Sequence, residues 1–212
     1  IGYTRGGIFS RLRRNSGRNN KNEEKREIRE RGVNFNVEAS NITSDGSITI
    51  KAEKGDVINK DGGNIKAQKG IYVKAQNVYN IGKYIQDEKD KNLTVLGAGG
   101  RIEGADVYME VTGKVVNGTE EYTKGIYRRE DGVLVDNRKV GMVINPSSII
   151  GSQSTVIKAG ELVNTSQIGE AGKGTTFIDV KGKIVNASIG NNIAKIEGKD
   201  VIVEGNKGVT NT

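Results

Sequence analysis

Six asparagines close a recurring apolar-x-Asn phrase: Asn59 (DVIN), Asn80 (NVYN), Asn117 (KVVN), Asn164 (ELVN), Asn186 (KIVN) and Asn211 (GVTN). A carboxamide both donates and accepts hydrogen bonds. Asparagines that recur at one place in a stack can therefore pass a donor-to-acceptor chain from copy to copy, satisfying polar groups that a buried corner would strand. Asn also tolerates the left-handed backbone of a tight turn, which gives a second reason to find it at corners. The expected role of these six residues is a structural ladder rather than catalysis or metal binding.

Little else in the chain points to reaction chemistry. Histidine and cysteine are both absent, which removes the commonest general base, the commonest zinc ligand, thiolate sites and disulfides. The acids Asp45, Asp56, Asp61, Asp106 and Asp179 are scattered among turns and outward positions, not clustered as calcium binding or general acid/base work requires. No catalytic residue, metal or cofactor is expected. Sequons of the Asn-x-Ser/Thr type occur at Asn41, Asn92, Asn117, Asn164 and Asn186; three coincide with the ladder, leaving Asn41 and Asn92 as the acceptors open to modification.

The elements that must position these residues follow from periodicity. From Val33 the chain alternates apolar and polar residues, as in Ile48, Ile50, Ala52 and again in Ile71, Val73, Ala75. Such alternation sends one row of side chains inward and the next outward. Each copy reads as three short strands, too few to bury an apolar face alone, so copies must stack. With 34% hydrophobic residues, three Phe, no Trp, 30 Gly and one Pro, the composition suits a narrow interior of β-branched and small side chains. The expected fold is all-β: a right-handed parallel β-helix over residues 32–212.

Intervals between successive Asn are 21, 37, 47, 22 and 25 residues, which places insertions near 81–100 and 118–147. The second contains the turn candidate Asp131-Gly132 between two strand-like runs. Loops displayed on a rigid scaffold commonly carry binding, so Tyr84, Tyr122, Tyr127, Arg128 and Arg129 are the candidate surface contacts. Residues 1–31 hold ten Lys/Arg and four Glu, most of the net charge of +7, and read as a basic polar loop or disordered segment. The pairs Arg26/Glu30 and Glu27/Arg31 would support at most a short helix there.

The phrases GDVINKDGGNIKAQKGIYVKAQNVYN, SSIIGSQSTVIKAGELVNTSQIG and KIVNASIGNNIAKIEGKDVIVEG resemble the haemagglutinin repeats of filamentous-haemagglutinin-type exoproteins of bacterial two-partner secretion, the class that includes stalks of contact-dependent inhibition toxins. The resemblance covers about residues 33–212. It implies a non-catalytic adhesive filament, secreted or at the bacterial cell surface, whose parent protein passes an outer-membrane transporter and meets a receptor or glycan on a host or neighbouring cell. The chain opens at Ile1 and closes on Thr212 just after a repeat, so it is expected to be a piece of something longer.

Other readings fit less well. A carbohydrate-active β-helix enzyme would need clustered acids, and a passive stalk presenting a C-terminal toxin domain would need only the rod. A left-handed hexapeptide helix is suggested by the six-residue spacing of Val156, Leu162 and Ile168 and separately of Ile178, Ile184, Ile196 and Ile202, but the spacing breaks at Gly174 and Gly190, and the catalytic His on which acyltransferases of that fold usually depend is absent. Specific nucleic-acid binding is not expected, because Glu23, Glu24, Glu27 and Glu30 interrupt the basic run and stacking aromatics are missing from it. No apolar stretch is long enough for a transmembrane helix.

Overall fold

The computed structural model describes residues 25–29, 34–86, 94–119, 127–130, 133–136, 142–190 and 192–212. All regular elements among them are β-strands, and none of these residues forms a helix long and apolar enough to cross a membrane. Sixteen strands make one curled sheet in which every pairing is parallel. A parallel partner must come from a later pass of the chain. Here Ser47–Lys60 pairs with Gly70–Ile81, which pairs with Arg101–Val111, which pairs with Ser148–Ala159. The architecture is solenoid-like and β-helix-like.

Register explains the alternation. Ile42, Ile65, Ile102, Ile149, Ile168 and Ile196 fall one above another, and so do Ile50, Val73, Met109, Ile157, Ile178 and Val203. Apart from Ile196 and Val203, which lie in the last repeat and are partly buried, these residues are buried in one continuous core. Stacked β-branched residues repeat at the strand spacing of about 4.8 Å, so each side chain meets its equivalents above and below. Two inward positions are threonines, and both are satisfied: Thr155 Oγ1 accepts from Gly151 N at 2.8 Å, and Thr176 Oγ1 donates to the Glu197 carbonyl at 2.6 Å. Val156, by contrast, pairs with Tyr108 and Phe177 outside the core cluster while Leu162 and Ile168 point in, and Ile202 is exposed while Ile178 and Ile184 are in the core, so neither six-residue series keeps to one face.

The basic segment differs from expectation. Lys25–Arg29 is a strand paired in parallel with the start of Ser47–Lys60, so no helical turn forms at those residues. The stretches that lengthen the Asn intervals carry strands of two smaller sheets. Lys83–Gln86 and Thr94–Gly97 pair antiparallel, and Met142–Val143 joins them alongside Thr94–Gly97. Tyr127–Glu130 and Val133–Asp136 form a separate antiparallel pair, with residues 131 and 132 outside the described set. The two interruptions therefore meet in a shared sheet, which their separation in sequence does not suggest.

Candidate functional site

The six phrase-ending asparagines stand in a single column, in register Asn59, Asn80, Asn117, Asn164, Asn186, Asn211. Each Nδ2 donates to the Oδ1 of the next: Asn59 to Asn80 at 2.8 Å, Asn80 to Asn117 at 2.8 Å, Asn117 to Asn164 at 2.8 Å, Asn164 to Asn186 at 2.7 Å and Asn186 to Asn211 at 2.8 Å. None of the six has a positive φ, so left-handed backbone is not why Asn occupies these corners. The left-handed conformation instead falls on turn residues such as Asp61 and Gly62. What selects Asn is the carboxamide at an inward-facing strand end.

A second hydrogen bond from the same nitrogens spans the corner. Asn59 Nδ2 also donates to the Arg101 carbonyl, Asn80 Nδ2 to Ser148, Asn117 Nδ2 to Gln167 and Asn164 Nδ2 to Lys195. Arg101, Ser148, Gln167 and Lys195 form the column on which the next strand begins. Everything between a ladder Asn and that column, in which Asn64 precedes Arg101, is a connection of variable length: 60–63, 81–100, 118–147, 165–166 and 187–194. The ladder thus ties the strand leaving the corner to the strand returning from it, whatever length of chain lies between.

The two long connections share their points of departure and return. Gly82 N donates to the Gly118 carbonyl at 3.0 Å as they leave, and Gly99 N donates to the Asn145 carbonyl at 2.9 Å as they come back. Small residues line the return: Gly63, Gly100, Ser147, Ser166 and Ala194 are all buried. A Cβ on Gly63 would strike Asn59 Oδ1, and one on Gly100 would strike Asn80 Oδ1. This column of small residues beside the ladder was legible in the sequence as G, G, S, S, A just before each first strand, but unequal connections obscure it.

At the end of the ladder the donor is missing. Asn59 Oδ1 is buried with no hydrogen-bond partner, because its register neighbour in the preceding repeat is Val37. Sequon residues Asn117, Asn164 and Asn186 are buried in the ladder, Asn41 is exposed, and Asn92 lies outside the described residues.

Of the candidate surface contacts, Tyr84 lies in the strand Lys83–Gln86 opposite Leu96, and Tyr127, Arg128 and Arg129 lie in the strand Tyr127–Glu130. Tyr122 falls outside the described residues. The structure puts Tyr84 and the other three in different sheets.

Two outward columns escaped sequence reading. Ile58, Tyr79, Val116, Val163 and Val185 occupy the x position of the apolar-x-Asn phrase and stack in register. Tyr72, Tyr108, Val156, Phe177 and Ile202 form a second column on another stretch of the sheet. Their signal was an apolar residue on the polar parity of each strand. Two positions further along each strand a groove of about 530 Å³ is lined by Lys74, Glu110, Lys158 and Asp179 among others, and by none of the second column's residues. A larger groove of about 680 Å³ follows the sheet bend near Gly104, with Lys66, Arg101, Glu103 and Gln167 in its walls.

Among the described residues no group of three or more His, Cys, Asp or Glu is placed to hold a metal ion. Asp56 and Asp106 each serve a neighbouring repeat, accepting from Asn77 Nδ2 at 2.9 Å and from Ser154 Oγ at 2.8 Å. Comparison with family models, with curated proteins and with solved structures gives no match to this chain.

Proposed function

We propose that this chain is a segment of a right-handed parallel β-helical rod belonging to a large secreted or surface-exposed bacterial adhesin of the filamentous-haemagglutinin type. Its role is structural and adhesive. The hand follows from the general right-handedness of crossovers between parallel strands. The observation that carries the reading is the Asn ladder, which keeps its hydrogen-bond length while connections of very different length leave the same corner. A scaffold with that property can lengthen by repeats and display chain at one edge without loss of its core.

In this reading the rod holds the excursions near 81–100 and 118–147 away from the bacterial surface, where they meet a receptor or glycan on another cell. The parent protein reaches that position through an outer-membrane transporter. Beads coated with the purified chain test the reading: they are expected to attach to host or neighbouring cells, and beads carrying a chain with residues 120–141 replaced by a short Gly-Ser linker are expected to attach less. Failure of the wild-type chain to attach to any cell tested would leave only a passive stalk.

A further inference from the structure

The outward column Tyr72, Tyr108, Val156, Phe177 and Ile202 runs along the stacking direction, one apolar residue per repeat. Tyr72 is 43% exposed and Ile202 46% exposed, while the three between them are half-buried by their own neighbours. The Tyr72 ring leans across the backbone of Gly70, where a Cβ would come within 2.6 Å of its ring and hydroxyl atoms. Glycine at that position lets the ring lie down on the sheet. The Tyr108 hydroxyl donates to Glu110 Oε1 at 3.3 Å, and Lys158 Nζ stands 5.7 Å from the Tyr108 ring centre. The rings are held by side chains of the protein's own outer face.

Polar columns bound this row on both sides. On one side Lys74, Glu110, Lys158 and Asp179 alternate in sign from rung to rung, and Lys74 Nζ pairs with Glu110 Oε2 at 3.2 Å. On the other stand Asp106, Ser154 and Thr175. The row is a single side chain wide. A stable protein interface buries about 800 Å² on each partner around a desolvated core, which a row this narrow does not supply. A polyanion would need one sign of charge, and here the signs cancel.

We infer that this column, with the charged row of Lys74, Glu110, Lys158 and Asp179 beside it, binds an extended neutral polysaccharide, one sugar ring over each rung. The rise per repeat, about 4.8 Å, is close to the length of one hexose unit in an extended β-linked chain. A pyranose ring has an apolar face of axial C–H groups that packs on aromatic and aliphatic side chains, and a rim of equatorial hydroxyls. Those hydroxyls would meet the alternating carboxylates and ammonium groups, which offer acceptors and donors on successive rungs. The inference rests on the adhesive reading above, but it moves recognition from the excursions to the rod face.

Calorimetric titration with cellohexaose and hexa-N-acetylchitohexaose, with heparin as the anionic control, tests it. At least one neutral hexasaccharide is expected to bind, and Tyr72→Ala and Phe177→Ala each to weaken binding about tenfold, the scale of one stacking contact. Tyr72→Phe is expected to retain binding, which separates loss of the ring from misfolding, and melting should follow wild type in all three. The inference is overturned if neither neutral sugar binds, if the alanine variants bind as wild type, or if only heparin binds. It is also overturned if the alanine variants alter only self-association in sedimentation, since the column would then seat a second copy of the chain. Cell attachment by beads without hexasaccharide binding would refute the inference alone; hexasaccharide binding without attachment would refute only the adhesive reading.

Discussion

Asn80 Nδ2 donates to Asn117 Oδ1 at 2.8 Å, although 37 positions separate the two residues. Asn164 and Asn186 are 22 positions apart and meet at 2.7 Å. The stack therefore keeps its rung spacing whether the intervening chain is short or carries an excursion. That constancy makes the ladder the feature on which stability experiments should focus.

Replacing two adjacent rungs, Asn164→Leu with Asn186→Leu, removes the amides that donate to Lys195, Ala194 and Asn211 and takes from Asn117 Nδ2 its partner Asn164 Oδ1. Buried groups left unsatisfied cost about 1–3 kcal/mol each. The double variant is expected to unfold at distinctly lower denaturant, with a loss of several times that unit cost. An unchanged midpoint would show that the ladder contributes nothing to stability.

Asn117→Asp keeps the shape of the side chain but replaces the donor that faces Asn164 Oδ1 and the Gln167 carbonyl. An ionised carboxylate there would confront acceptors in a buried site, so burial raises its folded pKa above the ordinary Asp value of about 4. A raised acid pKa means that stability is greatest at low pH and falls as pH rises. The variant is expected to lose stability relative to wild type between acid and neutral pH; parallel pH profiles for the two proteins would contradict this.

Gly100→Ala would drive a methyl group into Asn80 Oδ1 and the Asn59 carbonyl. Overpacking of this kind costs about 1–3 kcal/mol. Thermal unfolding should register the loss, and crystal or NMR data on the variant should show the Asn80 amide displaced.

Ile157 and Val156 are consecutive, yet one is fully buried in the core and the other belongs to the outward column. Ile157→Ala is expected to cost about 2–5 kcal/mol by leaving a cavity, and Val156→Ala well under half of that. Equal losses at the two positions would contradict the register.

Exchanging residues 120–141 for a short Gly-Ser linker should leave a folded, cooperatively unfolding stack, because Asn80 Nδ2 already ties the departing Asn117 to the returning Ser148 carbonyl. Loop-closure entropy changes slowly with length, by about 0.6 kcal/mol per doubling. The exchange removes the antiparallel pair Tyr127–Glu130 and Val133–Asp136 but keeps Met142 beside Val95, so protection from hydrogen exchange should persist in the stack and in the small sheet around Thr94–Gly97.

Residue type and spacing were enough to identify the inward positions such as Ile50, Val73 and Ile178, and the recurring Asn, because an interior one side chain wide admits few alternatives. The strand Lys25–Arg29 was hidden for the opposite reason. Its sequence KREIR has a single apolar residue, so nothing in its periodicity signals a strand, and only the edge of Ser47–Lys60 supplies its backbone partners.

Local alternation, therefore, is written in each repeat and can be read one strand at a time, since it depends on which face of a strand meets the core. Which residues become neighbours across repeats is a matter of register, and register was decided by the stack as a whole. Tyr72, Tyr108 and Phe177 lie far apart in sequence and share no motif, yet parallel pairing sets them in one outward row. Outward residues face no packing constraint that would give them a common type. Only once the core and the Asn column have locked every repeat against the next do they acquire a common position.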